Sequence, residues 1–514
     1  MLAHAYCAST FGVEAHLVDV ETNLVNGLPQ YFLVGLPGRA ISESRDRIEA
    51  AVRNSGFEMP RGRITVNLAP ASLPKEGSSF DLPIAVGLLA MSGQIASSKL
   101  AGTMILGELA LDGTLRPVKG ILPVALEAQS RGMSRIVVPE ANGKEAGVVS
   151  GLDVYGFNHL DQVTGWLNSR MEAEPVRVDV EALFRKQPPD AGLDYSDVRG
   201  QENVKRAMEV AAAGGHNILM VGPPGSGKTM IARRLPSILP PLTLEEALET
   251  TRIHSVAGLL TNGTSLVVRR PFRSPHHSIS DAALVGGGNM PRPGEISLAH
   301  NGVLFLDELP EFRRNALEVL RQPLEDGELT LSRSRFSVTY PSRFMLVASM
   351  NPSAGGDWYD PDNPGSATPE EVQRYLGRVS GPLLDRIDIH VEVQKVNYED
   401  LATPAASEPS ATIRERVLRA RALQKRRFQK ASHIYNNAHM NTRMVRRVCV
   451  IDSTGMELLK KAMRALRLSA RAYDRILKVA RTIADLEGND RIRAHHIAEA
   501  VQYRSLDREQ AVRT

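Results

Sequence analysis

The glycine-rich turn at residues 222–229, "GPPGSGKT", constrains the fold of this chain more than any other stretch. It fits the pattern G-x-x-x-x-G-K-T and lies between the apolar run "NILMV" and a helix-like stretch that begins at Lys228. A strand, a turn and a helix in this order hold phosphate, because backbone N–H groups of the turn and the helix N-terminus point at the anion. The candidate nucleotide-binding residues are Gly222, Pro223, Pro224, Gly225, Ser226, Gly227, Lys228 and Thr229.

A second apolar strand is predicted in "GVLFLDELPE", where four apolar residues precede two acids. An apolar strand that ends in two carboxylates is costly unless the acids have a role. Asp307 is expected to bind Mg²⁺ together with the hydroxyl of Thr229, and Glu308 is expected to polarise an attacking water. The pair favours nucleotide hydrolysis over binding alone, and a strand that meets a solvated turn is the alternative.

Two further polar residues follow apolar segments. Asn351 ends the strand-like "RFMLVASMNP", where its amide could orient the same water, since ligands collect at the carboxyl ends of strands in open α/β sheets. Arg386 lies on a turn in "SGPLLDRIDIHVEV". It could stabilise charge on a γ-phosphate, as an arginine finger of a neighbouring subunit. A surface salt bridge is the alternative for Arg386.

Size and composition indicate a globular, multi-domain protein. The 514 residues are 42% hydrophobic and 23% charged, which suffices for several packed domains. No apolar run is long enough for a membrane span and the first residues do not resemble a signal peptide, so we expect a cytoplasmic protein without a membrane partner. Cys7 and Cys449 fit neither a disulfide framework nor a zinc spacing, and we expect free thiols.

The basic residues are unevenly spread, although the net charge is only +4. The stretch "TIRERVLRARALQKRRFQK" sets eight basic residues against the single acid Glu415: Arg414, Arg416, Arg419, Arg421, Lys425, Arg426, Arg427 and Lys430. A solvated helix face and a contact with phosphates or another subunit both explain such a cluster. The sequence leaves these two interpretations open.

Composition divides the chain into four segments. Residues 1–169 alternate short β-like runs with helical patterns, which predicts an α/β domain. Residues 170–199 carry acids and prolines with little periodicity, which predicts a linker. Residues 200–396 contain the nucleotide turn. Residues 397–514 begin with a Pro/Ala/Ser-rich joint and are otherwise predicted to be helical.

The ordered motifs "GPPGSGKT", "VLFLDE", "SMNP", "LLDRID" and "LSARAYDRIL" resemble those of an AAA+ ATPase. More narrowly, the chain is similar to the magnesium-chelatase-like ComM/YifB family, which is related to the Mcm replicative helicases. The resemblance implies a P-loop ATPase core with a C-terminal helical lid, the cofactors ATP and Mg²⁺, and a homo-hexameric ring. It implies that Arg471 is the sensor-2 residue. It also implies helicase or branch-migration activity on single-stranded or branched DNA in recombination or natural transformation, with recombination proteins as partners.

The N-terminal segment resembles the Lon protease domain. The stretch "LPKEGSSFDLP" matches the loop that carries the catalytic serine, which would be Ser79, and "GELALDGTLRPVKGILPVALEA" matches the stretch that carries the catalytic lysine. The lysine position holds Leu122, so Ser79 lacks the base that would remove its proton, and Lys119 is three residues away. We therefore expect a non-proteolytic Lon-like α/β domain.

A basic hairpin is predicted in "GELTLSRSRFSVTYP", where apolar residues alternate on both sides of a polar tip. Mcm-type proteins carry a DNA-contacting hairpin at this place, so the resemblance implies DNA binding by Arg333 and Arg335. A solvated hairpin tip is the alternative. An earlier insert has the turn Asn262-Gly263, and its adjacent His276 and His277 are expected to point in different directions rather than to bind a metal.

Three functions from different classes fit these features. The first is an ATP-driven motor on DNA, supported by the hairpin and the basic C-terminal helices. The second is a chelatase-type motor subunit for metal insertion, which would need a separate partner and has no use for a Lon-like domain. The third is an AAA+ unfoldase linked to proteolysis, which the Leu122 position disfavours. A comparison of ATPase rates with and without DNA would separate the first from the others.

Overall fold

The computed structural model describes residues 1–185, 192–260, 263–288, 291–332, 337–356, 367–395, 407–431, 434–466 and 468–504. Its strands form two large sheets, one in the N-terminal third of the chain and one around the glycine-rich turn, and helices follow from residue 410 onwards. In these ranges, no helix combines the length and the apolar character that crossing a bilayer requires.

The N-terminal part is built on a seven-stranded sheet. The strands of this part are β1 Leu2–Phe11, β2 Glu14–Val25, β3 Gln30–Val34, β4 Arg63–Ala69, β5 Thr103–Ile105, β6 Glu108–Leu109, β7 Leu115–Arg116, β8 Arg135–Pro139 and β9 Asp153–Phe157. The helices are α1 Arg39–Ser42, α2 Ser44–Asn54, α3 Asp81–Met91, α4 Ile121–Ser130, α5 Glu140–Ala146, α6 Leu160–Leu167 and α7 Val180–Arg185. The sheet order is β3-β4-β2-β1-β5-β8-β9, and α3 is buried on nearly all sides because its sequence, "DLPIAVGLLAM", is almost wholly apolar.

The second sheet has five parallel strands, which lie side by side in the order Phe272–Arg273, Val303–Leu306, Met345–Met350, Ile218–Val221 and Ile389–Glu392. The strands of this part are β10 Ile218–Val221, β11 Phe272–Arg273, β12 Gly286–Gly287, β13 Arg292–Pro293, β14 Val303–Leu306, β15 Glu328–Ser332, β16 Ser337–Pro341, β17 Met345–Met350 and β18 Ile389–Glu392. Strands β10, β14 and β17 are fully buried apolar runs, as expected for parallel strands covered on both faces. Their carboxyl ends lie at one edge of the sheet.

Helices cover this second sheet, and one of them starts at Lys228. They are α8 Glu202–Gly214, α9 Lys228–Ile238, α10 Leu244–Ala257, α11 Asp281–Val285, α12 Glu295–Leu298, α13 Arg314–Val319, α14 Arg321–Asp326, α15 Pro369–Leu376 and α16 Gly381–Leu384, with short 3-10 helices at Tyr195–Asp197 and Leu309–Glu311. The predicted strand–turn–helix order around residues 222–229 is thus confirmed as β10, turn and α9.

The C-terminal part is helical. It comprises α17 Ser410–Phe428, a 3-10 helix at Asn437–His439, α18 Thr442–Val448, α19 Ser453–Ala465, α20 Ala470–Leu486 and α21 Ala494–Gln502. A buried ion pair between Asp388 and Arg475 of α20 attaches these helices to the second sheet, and His216 Nδ1 lies 3.2 Å from the other carboxylate oxygen. Burial opposes ionisation of Asp388, but Arg475 and His216 outweigh it and lower the pKa of that carboxyl.

The N-terminal part packs through α10 and its flanking residues against the segment 200–396, which contains the second sheet and is called the ATPase-like part after its sequence resemblance. Leu242, Ala247 and Leu266 belong to the same hydrophobic core as the seven-stranded sheet. The hydroxyl of Ser255 donates to the buried Glu145 at 2.5 Å. The segment 170–199, predicted to be a linker, contains α7 and packs several apolar side chains, among them Val176, on the same core.

Candidate functional site

The glycine-rich turn connects the end of β10 to the start of α9, and two of its glycines have backbone requirements. Gly225 and Gly227 have φ of +76° and +89°, in the left-handed region that favours glycine. Gly222 has no room for a side chain, because a Cβ there would come within 2.1 Å of the carbonyl oxygen of Val393. Glycine is therefore needed at Gly225 and Gly227 for the backbone conformation and at Gly222 for lack of space. Together they allow the compact turn that a phosphate-binding site requires.

Lys228 is 8% exposed and lies inside the curve of the turn. Its Nζ donates to the carbonyl oxygens of Gly222 at 2.7 Å and Pro223 at 2.9 Å, and to Oδ1 of Asn351 at 3.2 Å. Burial lowers the pKa of the Lys228 ammonium, while Asp307 and Glu308 act in the opposite direction. The turn thus holds the ammonium group of Lys228 beside its own backbone amides, and these groups together fit a polyphosphate.

Thr229, Asp307 and Ser349 form a connected set of oxygen atoms at the strand ends. The hydroxyl of Thr229 donates to Oδ2 of Asp307 at 2.7 Å, and the hydroxyl of Ser349 donates to Oδ1 of the same carboxylate. A hydroxyl beside a carboxylate is the donor set that Mg²⁺ takes next to phosphates, so the residues present fit the ion. Ser349 is a member that the sequence analysis missed. Its position two residues before Asn351 on β17 was the available signal.

Glu308 follows Asp307 in a left-handed backbone conformation, with φ of +55°. Its side chain is about half exposed, so its carboxylate faces the open side of the site. Nδ1 of His277 lies 3.7 Å from Oε2 of Glu308. This placement suits a carboxylate that receives a proton from water.

The structure contradicts one expectation about the histidine pair. The ring centroids of His276 and His277 are 4.0 Å apart, so the two rings lie together instead of pointing in different directions. The expectation assumed a regular element, whereas both residues lie in the irregular segment after β11. That segment brings His277 to Glu308, a proximity that the sequence alone does not reveal.

Asn351 and Arg386 are connected through a residue that the sequence analysis missed. Asn217, directly before β10, accepts from the backbone N–H of Leu346 at 2.9 Å and donates to the carbonyl oxygen of Arg386 at 3.1 Å. It thereby fixes the backbone of the strand that leads to Asn351 relative to the turn that carries Arg386. No local pattern marks Asn217, because both of its partners are distant in the chain.

Arg386 and Arg471 both act on the carboxylate of Glu325. Arg386 forms an ion pair with Glu325 of α14. The hydrogen bond from Arg386 lowers the pKa of Glu325, and the charge of Arg471 lowers it further. Among the contacts of the described residues, neither arginine touches the glycine-rich turn of its own chain. The structure therefore groups the two predicted arginines around Glu325.

The tip of the predicted DNA-binding hairpin, with Arg333 and Arg335, lies outside the described residues. The strands on either side of it are described: β15 and β16 pair antiparallel from Glu328↔Pro341 to Ser332↔Ser337, which confirms the strand pair. Leu331 and Val338 are buried in the core beneath the second sheet. The hairpin is thus attached to the same core as β14 and β17.

Seven of the eight basic residues at positions 414–430 fall into two groups, and the eighth, Arg414, is partly exposed. Arg416, Arg421 and Arg427 face the protein: Arg416 pairs with Glu209, Arg421 donates to the carbonyl oxygen of Ala212 at 3.1 Å, and Arg427 pairs with Asp485 at 2.5 Å. Four basic residues are exposed instead: Arg419, Lys425, Arg426 and Lys430. This second group is the one most open to a partner.

The residues that would form a Lon-type catalytic pair are used differently here. Leu122 is fully buried, and its backbone N–H donates to Glu145 at 2.9 Å. The side chain of Lys119 lies against Gly258 at the end of α10, where an added Cβ would come within 2.4 Å of its Cε. Lys119 therefore packs on the ATPase-like part, which supports the expectation that Ser79 has no lysine base.

Comparison with protein families matches most of the chain to one group. Residues 194–401 match the family described as magnesium chelatase, subunit ChlI. Residues 20–142 match subunit ChlI of Mg-chelatase, and residues 407–504 match the C-terminal family of the same subunit. The first match covers the glycine-rich turn, the two acids, Asn351 and Arg386.

Several curated proteins resemble the chain over its full length. It is 47% identical over 512 residues to the uncharacterized protein YifB of Salmonella typhimurium, with 99% of this chain and 98% of the relative covered. It is 46% identical over 512 residues to the competence protein ComM of Haemophilus influenzae, with the same coverage. The magnesium-chelatase 38 kDa subunit of Rhodobacter capsulatus is 26% identical over 196 residues, 34% of this chain and 56% of that protein. The chain therefore belongs to the ComM/YifB family of magnesium-chelatase-like proteins.

Proposed function

We propose that this protein is an ATP-hydrolysing motor that assembles into a ring and acts on DNA. The observation that carries the proposal is the meeting of Lys228, Thr229, Asp307, Glu308 and Asn351 at the carboxyl ends of three parallel strands. These are the groups that phosphoryl transfer to water requires: a cation, a metal-binding pair, a base and an amide. Membership in the ComM/YifB family supports the same chemistry.

Each residue has a distinct part in the proposed hydrolysis. Lys228 donates to the β- and γ-phosphate oxygens of ATP, together with the backbone amides of the turn. Thr229 and Asp307 would hold Mg²⁺, which supplies positive charge next to the phosphate oxygens. Glu308 accepts the proton of the attacking water, and Asn351 orients that water. Asn351 already lies 3.2 Å from Lys228, so a γ-phosphate bound by the lysine is within reach of the amide.

Ring assembly would complete this site. Arg386 and Arg471 both act on Glu325, and among the described contacts neither touches the glycine-rich turn of its own chain. Arginines that do not contact the phosphate-binding turn of their own chain can serve the nucleotide of another subunit, which is the arrangement of an arginine finger in trans. We propose a homo-hexamer in which both arginines face the ATP of the neighbouring subunit.

DNA is the proposed substrate of the motor. One full-length relative is named a competence protein, which points to DNA as the material handled. The strands β15 and β16 hold the hairpin tip on the core that carries Glu308 and Asn351, so movements of the ATP site would reach Arg333 and Arg335. Guanidinium groups there would grip phosphates without base preference. Branch migration or helicase activity on branched DNA follows from such a grip in a ring.

A chelatase-type motor is the second candidate, favoured by the partial match to a magnesium-chelatase subunit. An experiment separates the two: the ATPase rate of the purified protein is measured with single-stranded, duplex and branched DNA at two salt concentrations. A DNA motor is stimulated, and the stimulation declines as salt rises, because phosphate binding releases counterions. An ATPase rate that no DNA changes at any salt concentration would favour the chelatase-type motor.

A further inference from the structure

The guanidinium of Arg386 is withdrawn into its own subunit. The residue is only 6% exposed. Its Nη1 donates to the carbonyl oxygen of Pro382 at 2.6 Å, and its Nη2 pairs with Oε1 of Glu325. Its Nε is buried and has no hydrogen-bond partner among the described residues. A side chain held in this way cannot donate to a phosphate of another subunit without giving up the contact with Glu325.

Glu325 is suited to holding that guanidinium. It lies near the end of α14, its side chain is half exposed, and it faces Arg386, Arg471 and Arg321. The hydrogen bond from Arg386, followed by the charges of Arg386, Arg471 and Arg321, lowers the pKa of this carboxyl, so it is ionised at neutral pH. Its carboxylate offers arginine the same planar pair of acceptor oxygens that a phosphate offers.

We propose that Glu325 is a positioning residue that holds Arg386 withdrawn in the separate subunit and yields it to the phosphate of a neighbouring subunit on assembly. The proposal rests on the proposed function, since it takes Arg386 to be the finger. The carboxylate of Glu325 and the phosphate of the neighbouring subunit compete for the N–H groups of the Arg386 guanidinium. The contact therefore opposes ATP hydrolysis by incompletely assembled subunits.

The movement required is confined to one side chain. The backbone of Arg386 is fixed at both ends, since its N–H donates to Leu383 at 2.9 Å and its carbonyl oxygen accepts from Asn217 at 3.1 Å. The guanidinium itself is held by one neutral carbonyl and one half-exposed carboxylate. Ion pairs with an exposed partner are weak and are screened by salt, so a phosphate can replace this one.

The test uses the full chain with Glu325→Gln, which keeps the shape of the side chain and removes its charge. ATP turnover is measured against subunit concentration at low and high salt. We expect the concentration for half-maximal turnover to fall about two- to five-fold, the range that an ion pair of this exposure allows. At high salt the difference from wild type should shrink, which a purely structural role of Glu325 would not produce.

Two further variants serve as controls. Glu325→Asp keeps the charge and should stay close to the wild type, which separates charge from packing. Glu318→Gln is the matched control, because Glu318 is a nearby carboxylate that pairs with Arg321 at 2.8 Å, but among the described contacts it does not pair with Arg386. It should leave the concentration dependence unchanged.

The outcomes separate this proposal from the proposed function. If Glu325→Gln reduces turnover toward the level of Arg386→Ala, Glu325 belongs to the active arrangement and does not restrain the finger. An unchanged concentration dependence in Glu325→Gln overturns the proposal as well. If Arg386→Ala itself hydrolyses ATP like the wild type, the finger assignment fails regardless of Glu325.

Discussion

At the scale of single residues, Lys228 joins the ends of two strands, since its Nζ donates to Gly222 after β10 and to Asn351 after β17. The acids Asp307 and Glu308 lie close enough to oppose the effect of burial on its pKa. A buried ammonium next to backbone amides favours a bound polyanion, because each charge compensates the desolvation of the other. The same grouping gives the two carboxylates different roles, since Asp307 is occupied by two hydroxyl groups and Glu308 is open to water.

The first prediction concerns Glu308. Glu308→Gln keeps the size of the side chain and removes the proton acceptor, so the variant should bind ATP but turn it over at least about 100-fold more slowly. Nucleotide binding by fluorescence and phosphate release on the same preparation measure both quantities. Turnover at the wild-type rate would show that another group activates the water.

The second prediction concerns Arg386 and ring assembly. Arg386→Ala should lose ATP turnover and keep most of its affinity for ATP, because the arginine acts on the neighbour's nucleotide. Lys228→Ala subunits lack their own site but keep an intact arginine. A mixture of the two variants should therefore recover part of the activity. If every mixing ratio stays inactive, either the arginine works in cis or one defective site stops the ring.

At the scale of elements, the hairpin β15–β16 and the helix α17 are the two candidate DNA-binding elements. The hairpin shares a core with the strands of the ATP site, whereas α17 packs on α8 and α20. Arg427 is unsuitable for a test of DNA binding by α17, because it forms an ion pair with the buried Asp485. Arg419 and Arg426 are exposed and can be changed without loss of an internal ion pair.

The third prediction compares these two elements. Arg333→Ala with Arg335→Ala should remove the stimulation of ATPase by DNA and the displacement of strands together, since the hairpin links the two. Arg419→Ala with Arg426→Ala should weaken DNA binding at most moderately. Both double variants are measured in one branch-migration assay at one salt concentration. If only the α17 pair loses strand displacement, the hairpin hypothesis is wrong.

The fourth prediction concerns the stability of the helical part. Arg427→Ala leaves Asp485 with Arg481 and the side-chain amide of Asn437 as partners, so the free energy of unfolding should fall by about 2 kcal/mol, less than the about 3–5 kcal/mol of a fully isolated buried charge. Arg426→Ala, one residue away and exposed, is the control and should change it by less than about 0.5 kcal/mol. Denaturant unfolding of both variants gives the comparison, and equal stability would contradict the assigned pairing.

Whether the sequence predicted a feature depends on how many residues separate the interacting groups along the chain. The turn at residues 222–229, the acids after β14 and the strand pair of the hairpin are marked by patterns within a few neighbouring residues, and each was predicted. Asn217, His277 and Glu325 act through partners that are distant in the chain. The separations run from about 30 residues, between His277 and Glu308, to about 170 residues, between Asn217 and Arg386. Such contacts exist only after the chain has folded, so no local spacing reveals them.

At the scale of the whole molecule, the N-terminal part is joined to the ATPase-like part by buried contacts. Glu145 is buried at this junction, bonded to Ser255 of α10 and to the backbone of α4. The turn between β1 and β2 lies against the hairpin, since a Cβ on Gly12 would come within 2.7 Å of Val338. The N-terminal part is therefore placed to support the elements around the proposed DNA path.

The fifth prediction follows from this supporting role. Because Leu122 occupies the lysine position and Lys119 packs on Gly258, Ser79→Ala should not change ATP turnover or DNA-dependent activity, and neither protein should cleave casein. Cleavage that the wild type performs and Ser79→Ala lacks would restore a proteolytic role for this domain.

The measurement that tests the central claim most directly is ATP-dependent strand exchange on a branched DNA substrate by the full-length protein. Wild-type protein and Glu308→Gln are compared at equal concentration, with ATP and Mg²⁺, after both are shown to bind the substrate. The proposed motor predicts that the wild type moves the branch at a rate that tracks its ATP turnover, while Glu308→Gln binds the DNA and leaves it unchanged. Wild-type protein that hydrolyses ATP, binds the branched DNA and does not move the branch would contradict the account.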